Sequence, residues 1–533
     1  MGMMKARILA IAAAAIAFSA TAPQAKTLVF CSEGNPESLN PQLVTTTTGM
    51  NAGRPMFNNL VEFIPGTTRI GPSLAESWTV SGDGTEYTFR LRGGVKFHSN
   101  GFFKPTRDFN ADDVLFSFNR QWKPDHPFHN TSGESYDYFR DLGMPDLLKS
   151  VEKLDDRTVR IRLTRAEAPF LADVAMPFNA ILSAEYGEQL LKMGQPERLD
   201  REPIGTGPFT FAGYQRDVIV RYRAFADYWQ GRPAIDTLVF SITPNPAVRL
   251  AKLRAGECHI MAFPDPADLK TITDDPSLTL LQQEGLNVGY LAMNTGRPPF
   301  DDLRVRRAIN MAIDKRAIID AVYQETGAIA KNPIPPTMWS YNETIVDYSY
   351  DPEAARRLLA EAGYPQGLST DLWYMPVSRP YNPNGRRVAE MIEVDLARIG
   401  IHVNLVTEEW NTYRVKLQAG VPSLALYGWT SDNGDPDNFL HLLLGCATAR
   451  PGGNNIAKWC NPAYDDLVSR AKVITDQGER ERLYGAAQAV FRDDAPWVPL
   501  AHSLVFMALR KEVTGFRIDP IGRHLFEGVD LVQ

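Results

Sequence analysis

The sequence predicts an α/β protein built from more than one lobe. Three observations carry this reading. The chain has 533 residues, more than one hydrophobic core ordinarily serves. Strand-like and helix-like runs alternate along it, broken by many prolines and glycines, with no internal repeat and no low-complexity tract. Apolar residues make up 44% and charged residues 22%, the balance of a soluble globular protein.

The first residues read as an export signal. Lys5 and Arg7 give a positive start, Ile8 to Phe18 is almost wholly apolar, and small residues follow. The apolar stretch is too short for a bilayer-spanning helix. Ala20-Thr21-Ala22 fits a small-x-small cleavage pattern, and cleavage after Ala25 suits a start at Lys26. A signal over residues 1–25 is therefore expected, with the mature protein in the periplasm. Losing Lys5 and Arg7 takes the net charge from −7 to −9. That balance, without a Lys/Arg run, gives no support for nucleic-acid binding.

Thr27-Leu28-Val29-Phe30 is a buried-strand run. Trp78–Val80, the turn Ser81-Gly82-Asp83-Gly84 and Tyr87–Leu91 read as a hairpin. Asn110 caps a helix whose first turn holds Asp112 and Asp113, favourable at the positive end of the dipole. Val305, Ala308, Ile309, Ala312 and Ile313 form a helical stripe behind Asp301 and Asp302. Asp351-Pro352, then Ala355, Leu358, Leu359, Ala362 and Gly363, reads as cap, first-turn proline, apolar face and terminal glycine. Strands follow at Asp371–Tyr374 and His402–Val406. This strand–helix–strand grammar makes at least the second half an α/β lobe.

Cys31, Cys258, Cys446 and Cys460 suit an oxidising compartment. Four cysteines allow three pairings. The turn-rich stretch Arg450–Asn455 between Cys446 and Cys460 favours a bridge there, which leaves Cys31 with Cys258. No metal site is expected, because the Cys/His spacing is too wide for zinc. His126 and His129 sit beside Pro124 and Pro127 and read as a surface loop. Reaction motifs are missing too: the sequence holds no G-x-S-x-G, H-E-x-x-H, P-loop or G-x-G-x-x-G. A non-enzyme without a cofactor is expected.

An ordered series of motifs resembles the peptide-binding proteins of ABC importers. It comprises Pro72–Trp78, Phe89–His98, Asn110–Val114, Ile204–Phe209, Tyr228-Trp229, Val305–Ala308, Ile334–Trp339 and Gly428–Asp432. The series spans essentially the whole mature chain. Met375–Pro383 and Asp432–Phe439 most resemble the dipeptide-binding branch of family 5 extracellular solute-binding proteins. The resemblance implies a two-lobed periplasmic-binding-protein fold, class II-like and type C, with an extra subdomain inserted in the N-terminal lobe. It implies lobe I from 26–285 plus 503–533, the inserted subdomain at roughly 58–190, and lobe II from 286–502. The crossing segments are expected near Leu286–Tyr290 and Ala501–Ser503.

A free dipeptide carries an ammonium and a carboxylate, and enclosing either without a partner is costly. The resemblance assigns the ammonium to Asp432, in Gly-Trp-x-x-Asp, and the carboxylate to Arg379, before Pro-Tyr-Asn-Pro. A guanidinium suits a carboxylate because its planar fork can donate two parallel bonds. Read by residue type alone, Arg379 is a surface loop arginine and Asp432 a solvated cap. Trp429, Trp410 and Tyr381 are the expected aromatic walls. Thr45 is expected to hydrogen-bond the peptide backbone from lobe I. The expected function is capture of dipeptides by a monomer that delivers them to the permease subunits of an ABC importer. Oligopeptides, cell-wall peptides and haem are alternative ligands, and a secreted peptidase is the rival of a different class. A further hand-over to a chemoreceptor is left open.

Overall fold

The computed structural model describes residues 25–133 and 136–532. Apart from Ala25, the expected export signal lies outside the described residues. No helix among the described residues is long and apolar enough to cross a membrane.

One long strand, Trp497–Arg510, organises the molecule. Its first half pairs antiparallel with Asn287–Met293 and Gly327–Ile329. Its second half pairs with Ile260–Ala262 and Leu278–Glu284. On one side the sheet continues through Leu424–Thr430, Leu368–Trp373 and Ile401–Val406. On the other it continues through Thr27–Ser32, Thr237–Ile242, Ile219–Ala224 and Phe209–Gln215. The chain therefore passes between the two halves at residues 285–286 and again within this strand.

The switch of partners leaves backbone groups to be satisfied where the two ladders part. The buried Asn287 side chain fills that gap. Its Nδ2 donates to the Ser503 carbonyl at 2.9 Å, and its Oδ1 accepts from the Ser503 N–H at 3.0 Å. Gly285 beside it is obligatory. A Cβ there would lie 2.0 Å from Asn287 Nδ2 and 2.4 Å from the Ser503 carbonyl oxygen.

A separate antiparallel sheet holds Ala75–Val80, Glu86–Leu91, Thr158–Leu163 and Leu148–Asp155 in that order. The hairpin read from the sequence is its first pair, with Trp78 opposite Phe89. The helix Ala111–Trp122 packs on this sheet, and Asn110 and Asp113 cap its start reciprocally. His126 and His129 follow that helix; the His126 ring meets Phe116 edge-on, and His129 Nδ1 lies 2.8 Å from the Arg120 carbonyl. In the second half, Leu368–Trp373 and Ile401–Val406 run parallel and the helix Gly385–Arg398 joins them. The helix Leu303–Ala312 stops one residue short of the expected stripe, since Ile313 is already extended. Disulfides join Cys446 to Cys460 and Cys31 to Cys258.

Candidate ligand-binding cleft

Four stretches of the second half build one wall of a cleft. The loop after Leu368–Trp373 carries Arg379 and Tyr381. A tight turn fixes it, because the backbones of Arg379 and Asn382 exchange two hydrogen bonds of 3.0 Å. The helix Trp410–Gln418 opens with Trp410. The strand Leu424–Thr430 ends with Gly428 and Trp429, and Asp432 lies just beyond it. The facing wall is Thr45 to Thr47, at the start of the helix Thr47–Gly53. All six expected residues, Thr45, Arg379, Tyr381, Trp410, Trp429 and Asp432, line one cavity of about 20 Å³. That is room for about one water, so the cleft is closed.

Asp432 is buried and makes no ion pair among the described residues. Burial pushes its carboxyl up to about 7, against the opposing pull of a hydrogen bond from Tyr138 and the charge of Arg54. Asn438 positions it: one Oδ1 accepts from both the Asp432 N–H and the Trp429 indole N–H, each at 2.9 Å. The run Asp435-Pro436-Asp437-Asn438 thus serves as a brace for Asp432.

Arg379 is also buried, but its guanidinium is engaged. Nη1 donates to Glu33 Oε1 at 2.8 Å, and Nη2 donates to Thr48 Oγ1 at 2.7 Å. Thr48 Oγ1 in turn donates to Glu33 at 2.6 Å. Burial alone would raise the Glu33 carboxyl, but the Arg379 charge and the Thr48 bond hold it below its ordinary range. The Arg379 guanidinium lies 5.1 Å from the centre of the Trp410 ring. Trp410 Nε1 is a buried donor with no acceptor. Thr45 Oγ1 accepts from Arg414 Nη1 at 3.3 Å. The Tyr381 ring lies across Gly428, where a Cβ would sit 2.2 Å from the ring.

Sequence reasoning missed Glu33, Thr48, Tyr138 and Arg414. The first three meet their partners over separations of 294 to 346 residues, and no local pattern marks them. Asn438 lay inside a quoted motif without an assigned role.

A closed cleft between two sheet halves linked at two crossings, with charged groups turned inward, defines the class of solute-binding proteins. The chain belongs to the bacterial extracellular solute-binding proteins, family 5, whose middle region matches residues 69–450. It is 53% identical to the dipeptide-binding protein of Escherichia coli K12 over 513 residues, 96% of each chain. It is 50% identical to heme-binding protein A of Haemophilus influenzae over 506 residues, 95% of this chain and 92% of that one. The crystal structure of the dipeptide-binding protein of Pseudoalteromonas sp. SM9913 in complex with Met-Leu superposes with a TM-score of 0.93. That match has 39% identity and covers 95% of this chain and all of the other.

Proposed function

We propose that this protein captures dipeptides in the periplasm as a monomer and hands them to the permease subunits of an ABC importer, without catalysing a reaction. The observation that carries the reading is Asp432, a buried carboxylate without a cation, lining the same cavity as the Arg379 guanidinium. A buried anion of this kind is stabilised by an arriving ammonium. A ligand carboxylate takes its place at Arg379 beside Glu33 and Thr48. A peptide carbonyl meets the orphaned Trp410 Nε1, and Trp429 and Tyr381 give side chains an apolar surface.

Lobe I is then 26–285 plus 503–533 with the subdomain at roughly 58–190 inserted, and lobe II is 286–502. Arg379, Trp410, Trp429 and Asp432 belong to lobe II, while Glu33, Thr45, Thr48 and Tyr138 belong to lobe I. Closure therefore completes the site.

The test is a thermal-shift and calorimetry panel of dipeptides, tetrapeptides and haem, with free amino acids measured after each incubation. A native-state ligand raises the melting temperature. Dipeptides should shift the protein most, at one per chain and unhydrolysed. A shift with tetrapeptides or haem alone would overturn the dipeptide assignment, and turnover would favour the peptidase.

A further inference from the structure

A second cavity, of about 170 Å³, lies between Arg54 and Asn59, the short hairpin Val61–Phe63 with Ile70–Pro72, and the C-terminal stretch Arg523 to Glu527. It shares no lining residue with the cleft. Its charges are unevenly paired. Arg523 is held by Asp519 and donates to the Phe63 carbonyl at 2.7 Å. Glu62 accepts from Asn58 Nδ2 at 3.1 Å. Arg54, in contrast, makes no ion pair among the described residues, and its Nε is buried without an acceptor. The charges of Glu62, Asp519 and Glu527, and that of Asp432 in the cleft, reach it without ion-pair contact. Burial, then the like charge of Arg523, lowers its guanidinium to about 10.

Desolvating a guanidinium without a counter-ion is unfavourable. Its planar fork is matched best by a carboxylate, which accepts two parallel N–H bonds. We propose that this cavity is a second ligand site, taking a small molecule with one carboxylate, no larger than a short free amino acid, with Arg54 as the partner of that carboxylate. The volume sets the size limit. It is close to that of an engineered cavity of about 150 Å³ that admits benzene. An amino acid with a short side chain has a similar number of heavy atoms, and a dipeptide is too long. Glu527, on the same wall, forms no ion pair among the described residues and is the place for an ammonium if the ligand has one. The proposal does not depend on what the cleft binds.

Crystals of the full chain soaked in acetate locate a bound carboxylate by its difference density. Saturation-transfer NMR titrations with acetate and L-alanine then measure affinity in the native protein, Arg54→Met and Glu527→Gln. Acetate density beside Arg54 is expected. So is at least tenfold weaker acetate binding in Arg54→Met. Glu527→Gln weakens alanine but not acetate if the ligand is an amino acid, and neither if it is a simple carboxylate. Acetate density absent from this cavity in the native crystal would sink the proposal, whether or not Arg54→Met folds. So would acetate affinity unchanged in a folded Arg54→Met.

Discussion

Two buried ionisable residues in the cleft stand in opposite situations. The Asp432 carboxyl sits near 7 in the folded chain against an ordinary 3.8. A raised carboxyl stabilises the fold where it is protonated, so its contribution is present at low pH and lost as pH rises from about 4 toward 7. At neutral pH this costs the ligand-free protein on the order of 4 kcal/mol, which an ammonium removes. Dipeptide affinity should therefore rise as pH goes from about 5 to about 7 and level off above, by calorimetry. Asp432→Asn should flatten that profile and weaken binding by about 3–5 kcal/mol. Arg379, in contrast, already has a carboxylate. Arg379→Met strands the buried Glu33 and should destabilise the fold by about 3–5 kcal/mol. The double variant Glu33→Gln/Arg379→Met should recover much of that stability in a urea melt without recovering affinity. Recovery of both would remove Arg379 from the ligand's carboxylate.

At the scale of elements, the strand Leu424–Thr430 serves the site through a missing side chain. Tyr381 lies on Gly428, and a methyl group there would overlap the ring at 2.2 Å and approach the Val288 carbonyl oxygen at 2.6 Å. Overpacking of this kind costs about 1–3 kcal/mol. Gly428→Ala should lower the melting temperature and weaken dipeptide binding roughly tenfold, about 1.4 kcal/mol, by tilting Tyr381. Unchanged affinity in a stable Gly428→Ala protein would mean that the Tyr381 ring does not contact ligand. The loop that follows is equally determined: Asn438 reaches back to Trp429 and Asp432 with a single oxygen, so the acidic run holds the anchor in place.

Across the whole molecule, closure rests on a rim of polar contacts. Asp141 meets Arg450 and accepts from the Asn454 N–H at 3.0 Å. Lys472 is the buried centre of an acidic group, 3.0 Å from Glu167 and 3.5 Å from Asp437. Asp173 is close by and accepts from Asn433 Nδ2 at 3.0 Å. Burial, despite the Lys472 charge, raises the Glu167 and Asp173 carboxyls. Lys472→Met leaves buried carboxylates without their cation, so the closed form should lose about 3–5 kcal/mol. Small-angle scattering should show a larger radius of gyration than the native protein's at neutral pH. A return toward the native radius on acidification is expected, since protonated carboxyls no longer need Lys472. An unchanged radius at both pH values would make the group structurally neutral.

The sequence by itself determined the elements and their alternation, because hydrophobic period, caps and turn residues are local properties. The helix capped by Asn110 and the hairpin from Trp78 to Leu91 were legible for that reason. It also singled out Arg379, Tyr381, Trp429 and Asp432, each inside one short motif, whereas Trp410 and Thr45 stand outside those motifs and were expected from residue type. Only the tertiary structure decided that these six surround one cavity, that Arg379 is held by Glu33 and Thr48, and that Asp432 is left without a cation. Those facts depend on which distant segments meet when the chain closes around Asn287 and Ser503, and burial and pairing belong to that meeting rather than to any residue's neighbours in sequence.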